Sequence, residues 1–389
     1  MDWMLTGGRV LGEAGLEARP LALAGGRIAE AAAPGARAFD AAGLVLVPGI
    51  VDAHGDGFER NLSPRPGVLF DVETALIETD RQCAANGITT AYLALTISWE
   101  PGLRSLETAR DVIGALERLR PALLTDLRVQ IRWEVMALDA AEQVEAWLEL
   151  DPTPAIAFND HFTGMVKAPA PDAPEFEARM GRDIPKYAAR AGMSVEAYMA
   201  LVARIEARMA ESPAIVARIA ARAAELGVPR LAHDEKTHAE RARHRALGIG
   251  VSEFPLTREA AAEAVSAGEP TVLGAPNVLR GGSHIGALGA EEAAKAGLCS
   301  ALASDYFYPA PLLAASRLAG PDLCGLGSAW ALVSSGPANA LGLTDRGRLA
   351  PGLRGDVLAL SFAGGRARVE AAFSAGNLVY AAGFARAGG

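Results

Sequence analysis

The stretch "GLVLVPGIVDAHGDGFERNLSPRPG", residues 43–67, sets an apolar run directly before a histidine, aspartates, a glutamate and two arginines. A short apolar run bounded by glycine and proline reads as a buried strand. Polar groups this dense after such a strand make either a solvated turn or one half of a reaction centre. The rest of the chain decides between the two.

Seven further strand candidates follow: "ITTAYLAL" (88–95), "VQIRWEVMAL" (129–138), "AIAFNDH" (155–161), "PRLAHDE" (229–235), "IGVSEF" (249–254), "TVLGAPN" (271–277) and "SALASDY" (300–306). Alanine-rich segments of helical spacing separate most of them, among them "AAEQVEAWLEL" (140–150) and "REAAAEAVSAG" (258–268). Eight strands alternating with helices predict an α/β fold, a (β/α)8 TIM barrel. Residues 165–212 exceed an ordinary strand-to-helix connection and read as a helical insertion into the barrel. The first 48 residues differ in texture: short strand-like runs such as "WMLTGGRVL" (3–11) are punctuated by glycine pairs, and the C-terminal segment repeats that texture. The expectation is a small β-sandwich domain built from both termini, residues 1–48 and 341–389, attached to a barrel spanning 49–340.

In such barrels the active site lies at the C-terminal ends of the strands. Strand one ends in His54 and Asp56, strand three carries Glu134, and strand four ends in Asp160 and His161. Strand five ends in His233, Asp234 and Glu235, strand six carries Glu253, and strand eight ends in Asp305. Three of the six histidines thus close strands, and His284 lies in the loop after strand seven; His238 and His244 fall on a helix and read as solvated. Imidazoles and carboxylates are the usual ligands of Zn²⁺, Mn²⁺ and Fe²⁺. In His54-Gly-Asp56 the two side chains are two apart on an extended segment and point to one side. One ion is expected on that pair together with a carboxylate from strand eight. A second is expected on His161 and His233, bridged by Glu134, with Glu253 and Asp160 as alternative bridges. Any one of these residues, taken alone, is better read as a helix cap or a satisfied buried group; five such strand ends together point to a binuclear metal site.

Composition limits the partners. Of 389 residues, half are hydrophobic and 21% charged, so a large core forms; the net charge of −9, with no lysine- or arginine-rich block, argues against nucleic acid. No apolar run approaches the ~20 residues that span a bilayer. The opening "MDWMLTGGRV" lacks a basic segment followed by an apolar one, so no signal peptide and a cytoplasmic, membrane-free protein are expected. Cys83, Cys299 and Cys324 are too widely spaced for a disulfide framework or a thiolate site.

"VPGIVDAH" after a small β domain, with histidines at middle strands and an aspartate at strand eight, resembles the amidohydrolase superfamily. Its usual His-x-His reads His54-x-Asp56 here. Longer strings, "HGDGFERNLSPRPGV", "RWEV", "NDH", "AHDEKT", "SEFPLTREAA", "GAPNVLRGGSHIG" and "SDYFYPAPLLAA", resemble the superfamily's phosphonate-utilisation diphosphatases over about residues 45–360. Departures are "HFTGMVKA" after His161, Glu235 in place of an aspartate, and an extra aromatic residue in "SDYFYP". The resemblance implies cleavage of α-D-ribose 1-methylphosphonate 5-triphosphate to the 5-phosphate and pyrophosphate, with two divalent metal ions as cofactors. It carries His54, Asp56, Glu134, His161, His233 and Asp305 over as metal-ligand or base positions, with Asp305 as the catalytic proton acceptor. It further implies a small anionic phosphorylated substrate. Arg280, Ser283 and His284, in a glycine-rich loop after strand seven, are candidates to hold the phosphates, with Arg60 and Arg65 as rim residues and Glu59 anchoring one of those two. Superfamily members are often oligomers, which leaves a homo-oligomer open. Two other functions use the same residues differently: an amidohydrolase or deacetylase acting on an amide of a phosphorylated molecule, and a metal-free scaffold that has lost catalysis.

Overall fold

The computed structural model describes residues 1–65, 67–166, 184–282, 287–320, 325–363 and 365–382, with side chains of 164–166 left aside. At its centre eight strands form one parallel sheet in strict chain order. In sequence they are Ile50–Gly55, Ile88–Ile97, Asp126–Glu134, Ala155–Asn159, Arg230–His233, Val251–Glu253, Thr271–Gly274 and Ala301–Ala303. A parallel bridge between Gly55 and Asp305 brings the eighth strand's end back to the first. All eight strands expected from sequence are present, and helices on the outside cover them.

Because both faces of each strand are buried, the strands read as nearly continuous apolar runs. Period-two alternation then sorts their side chains. Leu93, Leu95, Val129, Ile131, Trp133, Ile156 and Phe158 pack outward into the main core beneath the helices. Tyr92, Ala155, Ala157, Leu231, Val251, Val272, Ala301 and Ala303 fill the lumen. Small residues predominate in the lumen, which leaves room for larger polar side chains one step further along each strand.

Both termini build the small β domain. A six-stranded sheet joins the N-terminal strands Arg9–Gly12, Gly15–Ala18 and Val45–Pro48 to the C-terminal strands Val357–Ala363, Arg366–Ser374 and Asn377–Ala381. A four-stranded sheet of Trp3–Thr6, Leu21–Ala24, Arg27–Ala29 and Arg37–Asp40 faces it. Their inner faces share one core, in which Trp3 and Phe39 meet Phe373 edge-on with ring centres 5.5 and 5.4 Å apart.

The opening stretch spans both bodies. Val45–Pro48 belongs to the sandwich, and two residues later Ile50 begins the barrel. Gly49 makes the change possible: a Cβ there would lie 2.2 Å from Thr89 Oγ1. Its N–H donates to Asp356 O in the sandwich, while the N–H of Ile50 donates to Gly87 O beside the barrel.

The described part of the insertion comprises helices Ile184–Arg190 and Val195–Glu206, with a short 3-10 turn at Met209–Glu211. Buried Glu100 tethers it to the barrel by accepting hydrogen bonds from Tyr198 (2.7 Å) and Arg190 (2.5 Å). Residues 167–183 of the expected insertion lie outside the described residues.

Candidate active site

Strand one delivers its residues to the mouth through a closely packed turn. Asp52, fully buried, accepts from the backbone N–H of Ser304 (2.8 Å) and from its hydroxyl (2.5 Å), which ties strand eight to strand one. A Cβ at Gly55 would meet Asp52, Ser304 and Tyr308 within 3.0 Å, so only glycine fits between His54 and Asp56. The N–H of Asp305 donates to His54 O (2.9 Å), and that of Asp56 donates to Asp305 O (3.0 Å).

Three strand ends repeat one backbone device. Asp234, Phe254 and Asp305 have φ of 61°, 52° and 54°, a left-handed conformation unusual for non-glycine residues. Each still extends the ladder, donating to Glu253 O, Val272 O and His54 O respectively. Such strain persists only where surroundings over-determine it, and it concentrates at functional sites. Here it turns two carboxylates and an aromatic ring over the lumen. The Phe254 ring meets those of His54 and His233 edge-on, with centres 4.8 and 5.3 Å apart.

Two groups of ligand atoms result, each with its members within 4.8 Å of one another: His54, His233 and Glu253, all buried, and His161, His233 and Asp234 nearer the surface. Glu253 lies between two imidazoles, 3.0 Å from His54 Nδ1 and 2.8 Å from His233 Nδ1, and also accepts from Gln130 Nε2 (2.6 Å). Burial alone would raise its carboxyl, but the charge of the facing His54 and the hydrogen bond with His233 hold it well below the usual range. The His54–Glu253 approach is too bent for a proper hydrogen bond, leaving Nδ1 without one. Burial depresses His233, favouring the neutral imidazole a metal requires. In the outer group, His161 Nδ1 is 2.5 Å from Glu134 Oε1 and its Nε2 is 3.3 Å from Asp234 Oδ2. Desolvation opposes protonation of His161, but Glu134 and Asp234 outweigh it and raise it to about 9. Asp234 falls to about 2: burial is outweighed by His233 and His161. Asp305 rises to about 6, through burial and then repulsion from Asp56. A largely buried set of imidazoles and carboxylates converging from six strands fits borderline divalent cations.

Comparison with known proteins bears directly on this mouth. The chain is 32% identical over 327 residues, 82% of its length and 84% of the relative's, to the α-D-ribose 1-methylphosphonate 5-triphosphate diphosphatase of Escherichia coli strain K12. The chain belongs to this diphosphatase family. It is a hydrolase of the amidohydrolase superfamily. No protein-family model matches it. Solved structures similar in fold include an amidohydrolase from a Sargasso Sea environmental sample (TM-score 0.60, 17% identity, 98% of this chain and 93% of that one). An adenosine deaminase from Xanthomonas campestris with bound zinc is similar too (TM-score 0.59, 14% identity, 97% and 92%).

Within this diphosphatase-family chain, the residues singled out from sequence divide into several groups. His54, Asp56, Glu134, His161, His233 and Asp305 all stand at the mouth. Of the three carboxylates considered as a bridge, Glu253 lies between His54 and His233, and Glu134 pairs with His161. Asp56 lies 3.5 Å from Arg132. Asp160 caps the helix His161–Val166 by accepting from the Thr163 N–H, so it is exposed and turned from the lumen. Glu235 points between helix and sheet, paired with buried Arg241 (3.1 Å), His244 (2.7 Å) and Ser252 (2.6 Å). His244 is therefore a partner inside the fold, whereas His238 is mostly exposed.

Among the rim residues, Glu59 anchors neither Arg60 nor Arg65: it forms a two-pronged pair with Arg104 at 3.0 and 2.9 Å. Arg60 is exposed, its guanidinium 5.4 Å from the centre of the Tyr306 ring, next to Asp305 in sequence. Arg65 is exposed in a turn bridged to Val68. Arg280 ends helix Ala275–Arg280 and is exposed, with Gly281 in the left-handed cap position. Ser283 and His284 lie outside the described residues. Sequence reading passed over Thr96, Arg132 and Asn159, as well as Gln130, which bonds Glu253, and Phe254, whose ring meets His54 and His233. Arg132 stands inside the quoted string "RWEV", two residues before Glu134 and hence on the same face.

Proposed function

We propose that this chain hydrolyses the 5-triphosphate of α-D-ribose 1-methylphosphonate 5-triphosphate, yielding the 5-phosphate and pyrophosphate. The observation that carries this reading is the activity of the Escherichia coli relative, 32% identical over 82% of the chain, taken together with a ligand-rich mouth.

The cofactors are two divalent ions, Zn²⁺, Mn²⁺ or Fe²⁺. His54 and Glu253 would hold one and His161 and Asp234 the other, with His233, which stands in both groups, serving one of them through a single nitrogen, and Asp56, Glu134 and Asp305 completing the set from the same mouth. Bound there, the ions supply positive charge for phosphoryl oxygens and promote ionisation of water near neutral pH. Phosphoryl transfer asks the protein mainly for positioning and for neutralising charge. Asp305 accepts a proton from the water that attacks the α-phosphorus and returns it to the departing pyrophosphate as the α–β anhydride bond breaks. Burial suits it to that exchange by raising its carboxyl to about 6. Glu134, on Nδ1, fixes the orientation of His161 and leaves Nε2 facing Asp234, and Gln130 fixes that of Glu253. Arg60 at the rim, and Arg280 with Ser283 and His284 after strand seven, meet the outer phosphates.

The test couples metal analysis with pyrophosphate release from a ribose 5-triphosphate, for wild type and Asp305→Asn. About two ions per chain and release lost in the variant support the reading. Metal without pyrophosphate release moves the substrate to an amide, and an inactive metal-free chain returns the scaffold.

A further inference from the structure

The lumen beside the ligand groups holds polar atoms that nothing among the described residues satisfies. Thr96, Arg132 and Asn159 expose 3%, 8% and 0% of their surfaces. Among the described residues, Thr96 Oγ1, Arg132 Nε and both Oδ1 and Nδ2 of Asn159 have no hydrogen-bond partner. Folded proteins pair nearly all buried polar groups, so each exception calls for a cause. These exceptions lie together. Thr96 continues the lumen series of Tyr92, and Asn159 that of Ala155 and Ala157, while the outward neighbours of Arg132, Ile131 and Trp133, belong to the outer core. Arg132 is paired in register with Thr96 on one side and Ala157 on the other, and Asn159 with Glu134.

Arg132 carries a permanent charge into this space. Its Nη2 is 3.1 Å from His233 Nε2 and its Nη1 is 3.5 Å from Asp56 Oδ2. Both partners belong to the proposed ligand set, so a cation held there competes for them and repels the guanidinium. A buried cation beside other cations is costly unless an anion lies between them. A neutral amide offers the guanidinium no counter-charge beyond the carboxylates that the ions already engage. A phosphoryl group relieves the repulsion, because its oxygens accept from a guanidinium fork while also facing the ions. The Thr96 hydroxyl and the Asn159 amide add neutral donors beside it.

We propose that Arg132, Thr96 and Asn159 form a phosphoryl-oxygen subsite in the lumen, and that Arg132 selects a polyanionic substrate. The proposal rests on the phosphohydrolase reading but is tested apart from it, by calorimetric binding of inorganic pyrophosphate to the metal-loaded chain. Arg132→Met is expected to weaken binding roughly 10- to 100-fold, the loss of a charge-assisted hydrogen bond, and Arg132→Lys to raise KM more than it lowers kcat. Thr96→Val and Asn159→Leu remove atoms that bond nothing among the described residues. They are expected to leave metal content unchanged and melting temperature unchanged or higher, yet to weaken pyrophosphate several-fold. A purely structural role gives the opposite pattern, lowered melting temperature with affinity intact, and overturns the subsite. Should Arg132→Met fail to load metal, Thr96→Val and Asn159→Leu decide. Wild type that binds pyrophosphate through these residues but releases none from a ribose triphosphate keeps the subsite and removes the triphosphate reading. Release with affinities unchanged across the variants removes the subsite alone.

Discussion

At Asp305 the backbone and the side chain serve separate ends. Its N–H and C=O close the barrel against His54 and Asp56, and its left-handed φ of 54° turns the carboxyl over the lumen. Asp305→Asn keeps the shape and the backbone bonds but cannot accept a proton. Pyrophosphate release is expected to fall about 10²- to 10⁴-fold, the usual contribution of a positioned general base, while circular dichroism stays as in wild type. An equally active variant sinks the role. Strand-end residues such as this one were legible because a histidine or carboxylate closing an apolar run is conspicuous. Arg132, Thr96 and Asn159 were not, since each falls inside or beside a run that reads as plain strand. Which way they face depends on which side of the strand becomes the lumen, and with both sides buried the one-dimensional pattern carries no such mark.

Elements meet at two places where small changes carry large effects. Gly49 lets the chain pass from the sandwich sheet to the first barrel strand against Thr89, which is almost fully buried. Gly49→Ala places a methyl into that side chain, and a loss of at least about 1–3 kcal/mol is expected from overpacking, read by chemical denaturation; an unaltered midpoint would mean the junction has slack. The second place joins helix His238–Ala246 to strands five and six through Glu235, Arg241, His244 and Ser252. Glu235→Ala removes one of the two carboxylates facing the fully buried Arg241 guanidinium, Glu269 at 3.1 Å being the other, and leaves the hydrogen bonds of His244 and Ser252 unmade, with an expected loss of about 1–3 kcal/mol. The pH dependence has a definite sign. Burial would raise the Glu235 carboxyl, but the bonds from His244 and Ser252 and the charge of Arg241 lower it below 4.5. Its contribution is therefore complete above pH 4.5 and lost as pH falls from there through the folded-state value. Wild type should lose stability in acid more steeply than Glu235→Gln, and parallel unfolding curves at pH 7 and pH 4 for the two proteins would refute this. The helix and the strands were readable from periodicity, but the inward turn of Glu235 was not: it follows His233 and Asp234 in one acidic run and looked like a third mouth residue.

Across the whole molecule, the sandwich and barrel hold a mouth whose ligands come from strands far apart in the chain. Ions bound there favour the folded state over the unfolded chain by mass action, about 2.7 kcal/mol at a hundredfold excess over Kd. Chelation is expected to abolish pyrophosphate release and lower the melting temperature, and added Zn²⁺ or Mn²⁺ to restore both; a melting curve indifferent to chelator would count against the two ligand groups. The sequence by itself determined the barrel, the terminal β domain and the histidines and carboxylates that gather at the mouth. Local periodicity, glycine punctuation and strand-end chemistry are properties of short segments, and they survive reading in one dimension. Tertiary structure alone decided the pairings: Glu253 rather than Glu134 between His54 and His233, Glu59 on Arg104, and Arg132 under the ligands. Those follow from barrel closure and from the stagger between neighbouring strands, which set the depth of each side chain in the lumen and hence which charges face one another.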